Sequence, residues 1–78
     1  MNMERLLEIL EEIRPDLDFA NCNNLIDGHH LTSLDIISIV AEVEDAFDVT
    51  VPTVEVIPHN FNSAQNLWDL IVRLQEEG

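Results

Sequence analysis

The sequence predicts an all-α fold, a small bundle of three long helices and one short helix with a long first loop. Apolar residues recur at the three- and four-residue spacing of amphipathic helices. Polar or proline-containing segments separate these helical stretches. With 78 residues, 46% of them hydrophobic, the chain can build one small core, so residues 1–78 are expected to form a single domain.

The first helix is predicted from Met3 to Ile13. Apolar side chains mark its inner face, at Met3, Leu6, Leu7, Leu10 and Ile13. Pro15 should end it, because the residue before a proline disfavours helical backbone angles. Residues 16–32 are rich in Asn, Asp and His, which predicts a long loop. Apolar side chains must hold such a loop on the core, and the candidates are Leu17, Phe19, Leu25, Ile26 and Leu31.

The second helix is predicted to begin at Thr32 or Ser33 and to run to about Phe47. Its buried face would hold Ile36, Ile39, Val40, Val43 and Phe47. A second, partly apolar strip lies beside that face and has an acidic border; its residues are Leu34, Ile37, Ala41, Glu44, Asp45 and Asp48. An apolar strip with such a border is typical of a docking surface. The alternative is that a small bundle buries a wide stripe.

Residues 49–57 are dominated by β-branched side chains and carry mixed signals. A hairpin is one interpretation. Pro52 and Pro58 leave the segment short and broken, so we expect an extended link with one helical turn near residues 53–56.

The last helix is predicted to follow an N-cap at Asn62 or Ser63 and to end near Glu76. Gln65 lies three residues after Asn62, which is the spacing of a capping box. The predicted buried stripe is Ala64, Leu67, Ile71 and Leu74, flanked by Trp68 and Val72.

The chain is strongly acidic. Three Arg and no Lys stand against sixteen Asp and Glu, which gives a formal net charge of −13. Phosphate backbones and anionic membranes repel such a chain, so no nucleic acid and no membrane is expected as partner. We expect a monomer that meets partners with basic patches. The alternative is that the acidity only keeps a small protein in solution.

Two further features concern the cellular setting. Cys22 is the single cysteine, so no internal disulfide can form. The N-terminus lacks the basic and then apolar order of a signal peptide, and no apolar run approaches the roughly 20 residues that span a bilayer. We therefore expect a cytoplasmic protein.

Metal-binding and catalytic patterns are weak. His29 and His30 are adjacent and lack the paired-ligand spacing of a metal site, so no metal is expected. Residues 44–48 are acidic, but no segment has the alternating ligands of a calcium loop. A triad of Ser33, His29 and an acid would need a rigidly held base, which a polar loop does not supply. We expect no enzyme activity.

Ser33 remains as the candidate for chemistry. Serine at a helix start is most often a cap. A helix start also presents unpaired N–H groups and the positive end of the helix dipole, which favour a phosphate ester on a hydroxyl placed there.

Four short motifs, in order and over nearly the full chain, resemble the acyl carrier protein family, whose members bear phosphopantetheine. Residues 32–35, Thr-Ser-Leu-Asp, resemble the Asp-Ser-Leu-Asp attachment motif, with Thr32 in place of the first Asp. Residues 44–48 and the Val-Pro at 51–52 resemble the acidic end of the family's second helix and the residues after it. Residues 60–63, Asn-Phe-Asn-Ser, resemble the start of the last helix in some members.

The resemblance implies an acyl-carrier-like bundle, a single carrier domain over residues 1–78. Ser33 would receive 4′-phosphopantetheine from coenzyme A through a phosphopantetheinyl transferase. The thiol of that group would carry an acyl or aminoacyl group as a thioester between ligases or synthases, and fatty acyl, polyketide and aminoacyl cargo are all compatible. The residues that would meet these partners are Leu34, Asp35, Ile37, Ala41, Glu44 and Asp45.

Two other functions stay open at this point. The first is a cofactor-free acidic interaction module that binds a basic partner through the second helix. The second is a metal or calcium sensor, for which binding of the ion would change the thermal stability of the chain.

Overall fold

The structure, a computed structural model, describes residues 3–77, which form four α-helices, one 3-10 helix and no strand. In chain order they are α1 (Met3–Ile13), α2 (Ser33–Phe47), the 3-10 helix (Thr53–Glu55), α3 (Pro58–Phe61) and α4 (Ala64–Glu77). The predicted helical bundle with three long helices and a long first loop is confirmed. The single helical turn predicted near residues 53–56 is the 3-10 helix.

Helix α3 is an element that the sequence prediction missed. It begins at Pro58, in the first helical turn, where the fixed φ angle and missing N–H of proline are well tolerated. The prediction treated Pro58 only as a break in a strand. A helix of four residues is also too short to produce a periodic apolar pattern.

Helix α1 packs against both α2 and α4, so the three long helices share one hydrophobic core. Its buried residues are Leu6, Ile9 and Leu10. The predicted inner face was wrong in detail, because it omitted Ile9 and included residues that are only half-buried, namely Met3, Leu7 and Ile13. Because α1 contacts both α2 and α4, its buried residues lie in the middle of the helix, and the residues near its two ends are partly exposed.

Helices α2 and α4 complete the core. The buried side chains of α2 are Ile39, Val43 and Phe47, and those of α4 are Ala64, Leu67, Leu70 and Ile71. Ile36 and Val40 were predicted to be buried but are half-buried, because both line an open groove between α2 and the residues around the 3-10 helix. Phe47 and Trp68 pack edge to face with ring centroids 5.6 Å apart.

The first loop follows α1 and ends at Thr32, and its apolar side chains hold it on the core. Phe19, Leu25 and Leu31 are buried, and Leu17 and Ile26 are half-buried, as predicted. The loop is thus part of the folded body, which places the start of α2 at a defined position.

Asn62 fastens the middle of this loop to the junction between α3 and α4. Its side-chain Oδ1 accepts hydrogen bonds from the N–H groups of Ile26 and Asp27, both at 3.0 Å. Its Nδ2 donates to the Asp27 carboxylate at 3.0 Å, and its backbone carbonyl accepts from the Leu25 N–H at 2.8 Å. Four hydrogen bonds from one residue therefore replace the regular backbone pairing that the loop lacks.

The start of α4 decides between the two predicted caps, Asn62 and Ser63. Ser63 is the capping residue, since its Oγ accepts a hydrogen bond from the Asn66 N–H at 3.1 Å. The predicted capping box between Asn62 and Gln65 is wrong, because the Gln65 side chain donates to Asp69 instead. The Asn62 side chain is engaged by the first loop.

We predict that Asn62→Ala lowers the free energy of unfolding by about 1–2 kcal/mol, because two loop N–H groups lose their acceptor. In a domain of this size the corresponding fall in Tm is about 5–10 °C. Urea and thermal unfolding followed by circular dichroism measure both. Gln65→Ala is the control and should change stability by less than about 0.5 kcal/mol, since its hydrogen bond is local and exposed. Equal stability of the two variants would contradict the role of Asn62.

Candidate functional site at the start of helix α2

The start of α2 is closed by a reciprocal cap. Thr32 is the N-cap, with φ −93° and ψ 170°, and its Oγ1 accepts a hydrogen bond from the Asp35 N–H at 3.2 Å. The Asp35 carboxylate accepts in turn from the Thr32 N–H at 2.9 Å. This is the capping box. It settles which residue caps α2, because the prediction allowed Thr32 or Ser33.

Ser33 is the first residue of α2 and is exposed to solvent. Because the Thr32 side chain caps α2, the Ser33 hydroxyl is not needed as a cap. Among residues 3–77 the Ser33 hydroxyl makes no hydrogen bond. The N–H groups of Ser33 and Leu34 likewise find no acceptor in the described part of the chain. An accessible hydroxyl thus lies beside two unpaired donors at the positive end of a helix dipole.

Arg14 holds both sides of this site, and the sequence analysis did not identify it. Its Nη1 donates to the Asp35 carboxylate at 2.6 Å and to the His30 carbonyl at 3.0 Å. Its Nε and Nη2 donate to the two carboxylate oxygens of Asp16 at 3.0 and 2.8 Å. The periodicity of apolar residues cannot predict a contact between residues 21 positions apart. The available signal was that no other Arg or Lys lies between Arg14 and Arg73, so Arg14 has many acidic residues to pair with.

The ionisation of Asp35 follows from these contacts. The hydrogen bond from the Thr32 backbone N–H lowers the pKa of the Asp35 carboxyl, and the Arg14 side chain lowers it further, against the opposing effect of desolvation. The hydrogen bonds from Arg14 also lower the pKa of Asp16. Both carboxylates are therefore held in the charged form that the cap and the Arg14 contacts need.

The residues predicted to meet partners fall into two groups. Leu34 and Ile37 are 76% and 64% exposed, and Ala41 and Asp45 continue the same exposed face at helical spacing. Asp35 and Glu44 are only partly exposed and have partners within the chain, since the Glu44 carboxylate accepts from the Val51 N–H at 2.8 Å. Whether any of the six meets a partner stays a prediction.

An apolar cleft of about 230 Å³ lies next to the site. It is bounded by the first loop, α2, α3 and the residues before α3, and its lining is Ile26, Ile36, Val56, Ile57, Pro58 and Phe61. Ile36 lies one helical turn after Ser33, so the cleft begins close to the exposed hydroxyl. The β-branched residues before Pro58, which favoured a strand by propensity, supply one wall.

The remaining polar candidates are dispersed. Among residues 3–77, no three His, Cys, Asp or Glu side chains come together as metal ligands would. His29 and His30 are exposed, and the half-buried Cys22 thiol lies 3.2 Å from the Asn24 Oδ1. Nor does any helix in that span combine the length and the apolar character needed to cross a bilayer.

We predict that Asp35→Asn destabilises the fold by about 1 kcal/mol at pH 7, because the charge-assisted part of the cap is lost. A carboxyl whose pKa is lowered by folding contributes fully above its unfolded pKa, near 4, and loses that contribution as the pH falls through the folded value. The difference between wild type and variant should therefore shrink below about pH 4.

Urea unfolding at several pH values measures this difference. Asp45→Asn is the control, because Asp45 is exposed on the same helix and has no hydrogen bond or ion pair among residues 3–77. A stability difference for Asp35→Asn that stays constant down to pH 2 would be inconsistent with this account of the cap.

The chain is 38% identical over 64 residues to aminoacyl carrier protein 1 of Bradyrhizobium diazoefficiens, and the alignment covers 82% of this chain and 70% of that protein. No family model and no solved structure matches. The relative is a carrier protein, the fold is the helical bundle that the carrier resemblance implied, and a serine is displayed at the start of α2. The chain belongs to the acyl carrier protein family.

Proposed function

We propose that this protein carries an aminoacyl group, as a thioester, on a 4′-phosphopantetheine arm attached to Ser33, and moves it between partner enzymes. The observation that supports this most is the exposed Ser33 hydroxyl, which is outside the cap of α2. A carrier relative implies phosphopantetheine in general, and the name of that relative favours an aminoacyl cargo over a fatty acyl or polyketide cargo.

The residues at the start of α2 fit the group that the family implies. A phosphodiester on the Ser33 oxygen would lie near the unpaired N–H groups of Ser33 and Leu34, which suit an anion. The site is exposed, so a long arm can extend from it. When bound, the group supplies a thiol that holds a carboxylic acid as a thioester.

The attachment reaction uses one atom of this chain. The Ser33 Oγ forms a bond to the phosphorus that bears the pantetheine chain of coenzyme A. The bond from that phosphorus to 3′,5′-adenosine bisphosphate breaks, and the nucleotide leaves with the bonding electron pair. The serine proton passes to a base of the transferase. The product is a phosphodiester, and the carrier itself supplies no acid or base.

The exposed face of α2 is the proposed docking surface, which we define as Leu34, Ile37, Ala41 and Asp45. It begins one residue after Ser33, so a partner bound there would reach the arm. Partner enzymes with basic patches suit a chain of net charge −13. Glu44 would add to the acidic field around this surface while its carboxylate holds the Val51 N–H. Asp35 would add less, because its carboxylate is paired with Arg14.

The chemistry on the cargo is assigned to the partners, and the proposed setting is the cytoplasm, where Cys22 would remain a free thiol. A cofactor-free interaction module would use the same face of α2. It differs from a carrier in leaving Ser33 unmodified, so modification of the serine separates the two functions.

We predict that incubation with coenzyme A and a broad-specificity phosphopantetheinyl transferase adds one phosphopantetheinyl group to the chain, measured by intact-protein mass spectrometry. Ser33→Ala should abolish the gain. Ser38→Ala is the matched control, because Ser38 is also exposed on α2, and it should be modified like wild type. An unchanged wild-type mass would favour the cofactor-free module.

We predict that Asp45→Lys lowers the kcat/KM of this modification about fivefold, because a charge on the docking surface is reversed. Glu11→Lys makes the same charge change at an exposed position on α1. It should lower kcat/KM by less than about twofold, because it lies away from the docking surface. The difference between the variants should narrow in high salt. Identical rates for both variants at low salt would remove α2 from the docking surface.

A further inference from the structure

We propose that Arg14 is a positioning residue for the attachment reaction at Ser33. Arg14 would fix the chain on both sides of the serine, so that the hydroxyl is presented in one arrangement. This inference rests on the proposed function, because it concerns the transfer of phosphopantetheine to Ser33.

The contacts of Arg14 lie on both flanks of the serine. The His30 carbonyl, three residues before Ser33, and the Asp35 carboxylate, two residues after it, both accept hydrogen bonds from Nη1. The Asp16 carboxylate anchors the other edge of the guanidinium with two hydrogen bonds. One planar side chain therefore joins the beginning of the first loop, its end and the first turn of α2.

Asp35 transmits this constraint to the cap. Its Oδ2 accepts hydrogen bonds both from the Arg14 Nη1 at 2.6 Å and from the Thr32 N–H at 2.9 Å. The same oxygen thus completes the ion pair and the capping box, so Arg14 orients the carboxylate that holds the residue immediately before Ser33. The Asp35 side chain is 16% exposed, which leaves little room for another orientation.

The backbone just before the cap also needs support. His29 has φ 59°, in the left-handed region that non-glycine residues rarely adopt and that carries a cost. The next carbonyl along the chain, that of His30, is the one that Arg14 holds. Arg14 therefore stabilises the exit from a strained turn four residues before the serine.

Arg14 also balances charge where the arm arrives. The transfer places an anionic phosphodiester on Ser33, two residues from the Asp35 carboxylate. With Arg14 paired to Asp35, the repulsion between that carboxylate and the phosphate is reduced. Lysine at position 14 would keep the positive charge. Its single ammonium group lacks the planar set of N–H donors by which the guanidinium reaches three segments of the chain.

The test compares kcat/KM for phosphopantetheinyl transfer among wild type, Arg14→Gln, Arg14→Lys and Arg73→Gln. Arg73→Gln is the matched control, since Arg73 also pairs with a carboxylate, that of Glu55 at 2.7 Å, but joins α4 to the 3-10 helix. Arg73→Gln changes the net charge of the protein by the same amount as Arg14→Gln. Each variant is assayed at a temperature where circular dichroism shows the wild-type helix content.

We expect Arg14→Gln to lower kcat/KM about tenfold, since small displacements of a reacting group cost up to about 100-fold. Arg14→Lys should lose at least about threefold and Arg73→Gln less than about twofold. If Arg14→Gln does not fold, Arg14→Lys carries the same test. The Thr32 amide should also exchange with deuterium faster in the Arg14 variants alone.

A double variant separates positioning from general destabilisation. In the Asp35→Asn background, Arg14→Gln should lower kcat/KM by clearly less than the roughly tenfold loss expected in wild type, because the Asp35 ion pair is already lost and only the contacts of Arg14 with the His30 carbonyl and Asp16 remain to be removed. Equal rates for Arg14→Gln and Arg73→Gln, with wild type modified, would overturn this inference and leave the proposed function intact. A wild type that is never modified would overturn both.

Discussion

Thr32 and Asp35 close the start of helix α2 by exchanging hydrogen bonds, and the display of Ser33 depends on that exchange. A serine at a helix start is ordinarily consumed as the cap. Here the preceding threonine takes that role, so the serine hydroxyl is left exposed and unbonded among residues 3–77. The cap thus supports both the helix and the accessibility of the proposed attachment atom.

Two polar residues, Arg14 and Asn62, tie the long first loop that precedes this cap to the rest of the fold. Arg14 joins the loop ends to Asp35, and Asn62 joins the loop middle to the corner before α4. The hydrophobic core holds the loop by its apolar side chains, but apolar contacts are not directional. Hydrogen bonds depend on orientation, so those of Arg14 and Asn62 fix the path of the loop backbone. A site at the end of a loop needs its backbone fixed in this way.

Periodicity predicted the long helices well, because each has an apolar face over three or more turns. The sequence left two alternatives for the strip at Leu34 and Ile37, a docking surface or part of a wide buried stripe, and the structure exposes both side chains. Helix α3 was not predicted, because it has a single turn and begins at Pro58, a residue that equally ends a strand. Short elements lack the repetition on which such predictions depend.

The polar contacts were the least predictable part of the site. Local spacing offered Asn62 as one of two possible caps and as a partner of Gln65 in a capping box, whereas its side chain bonds residues 35 and 36 positions earlier. Arg14 and Asp35 form an ion pair across the whole first loop, and no local pattern encodes it. Asp35 and Glu44 were predicted from sequence only as acidic residues that meet partners. The sequence does not show that their carboxylates also accept hydrogen bonds from the backbone N–H groups of Thr32 and Val51.

The proposed carrier role reduces to one claim, that the hydroxyl at the start of α2 bears the arm. The most direct measurement is tandem mass spectrometry of the protein purified from cells that produce it naturally, with the bound group localised within the peptide that contains residues 32–38. The account predicts a phosphopantetheinyl ester on Ser33. The same group on Ser38, or a fully unmodified peptide from cells with an active transferase, would contradict it.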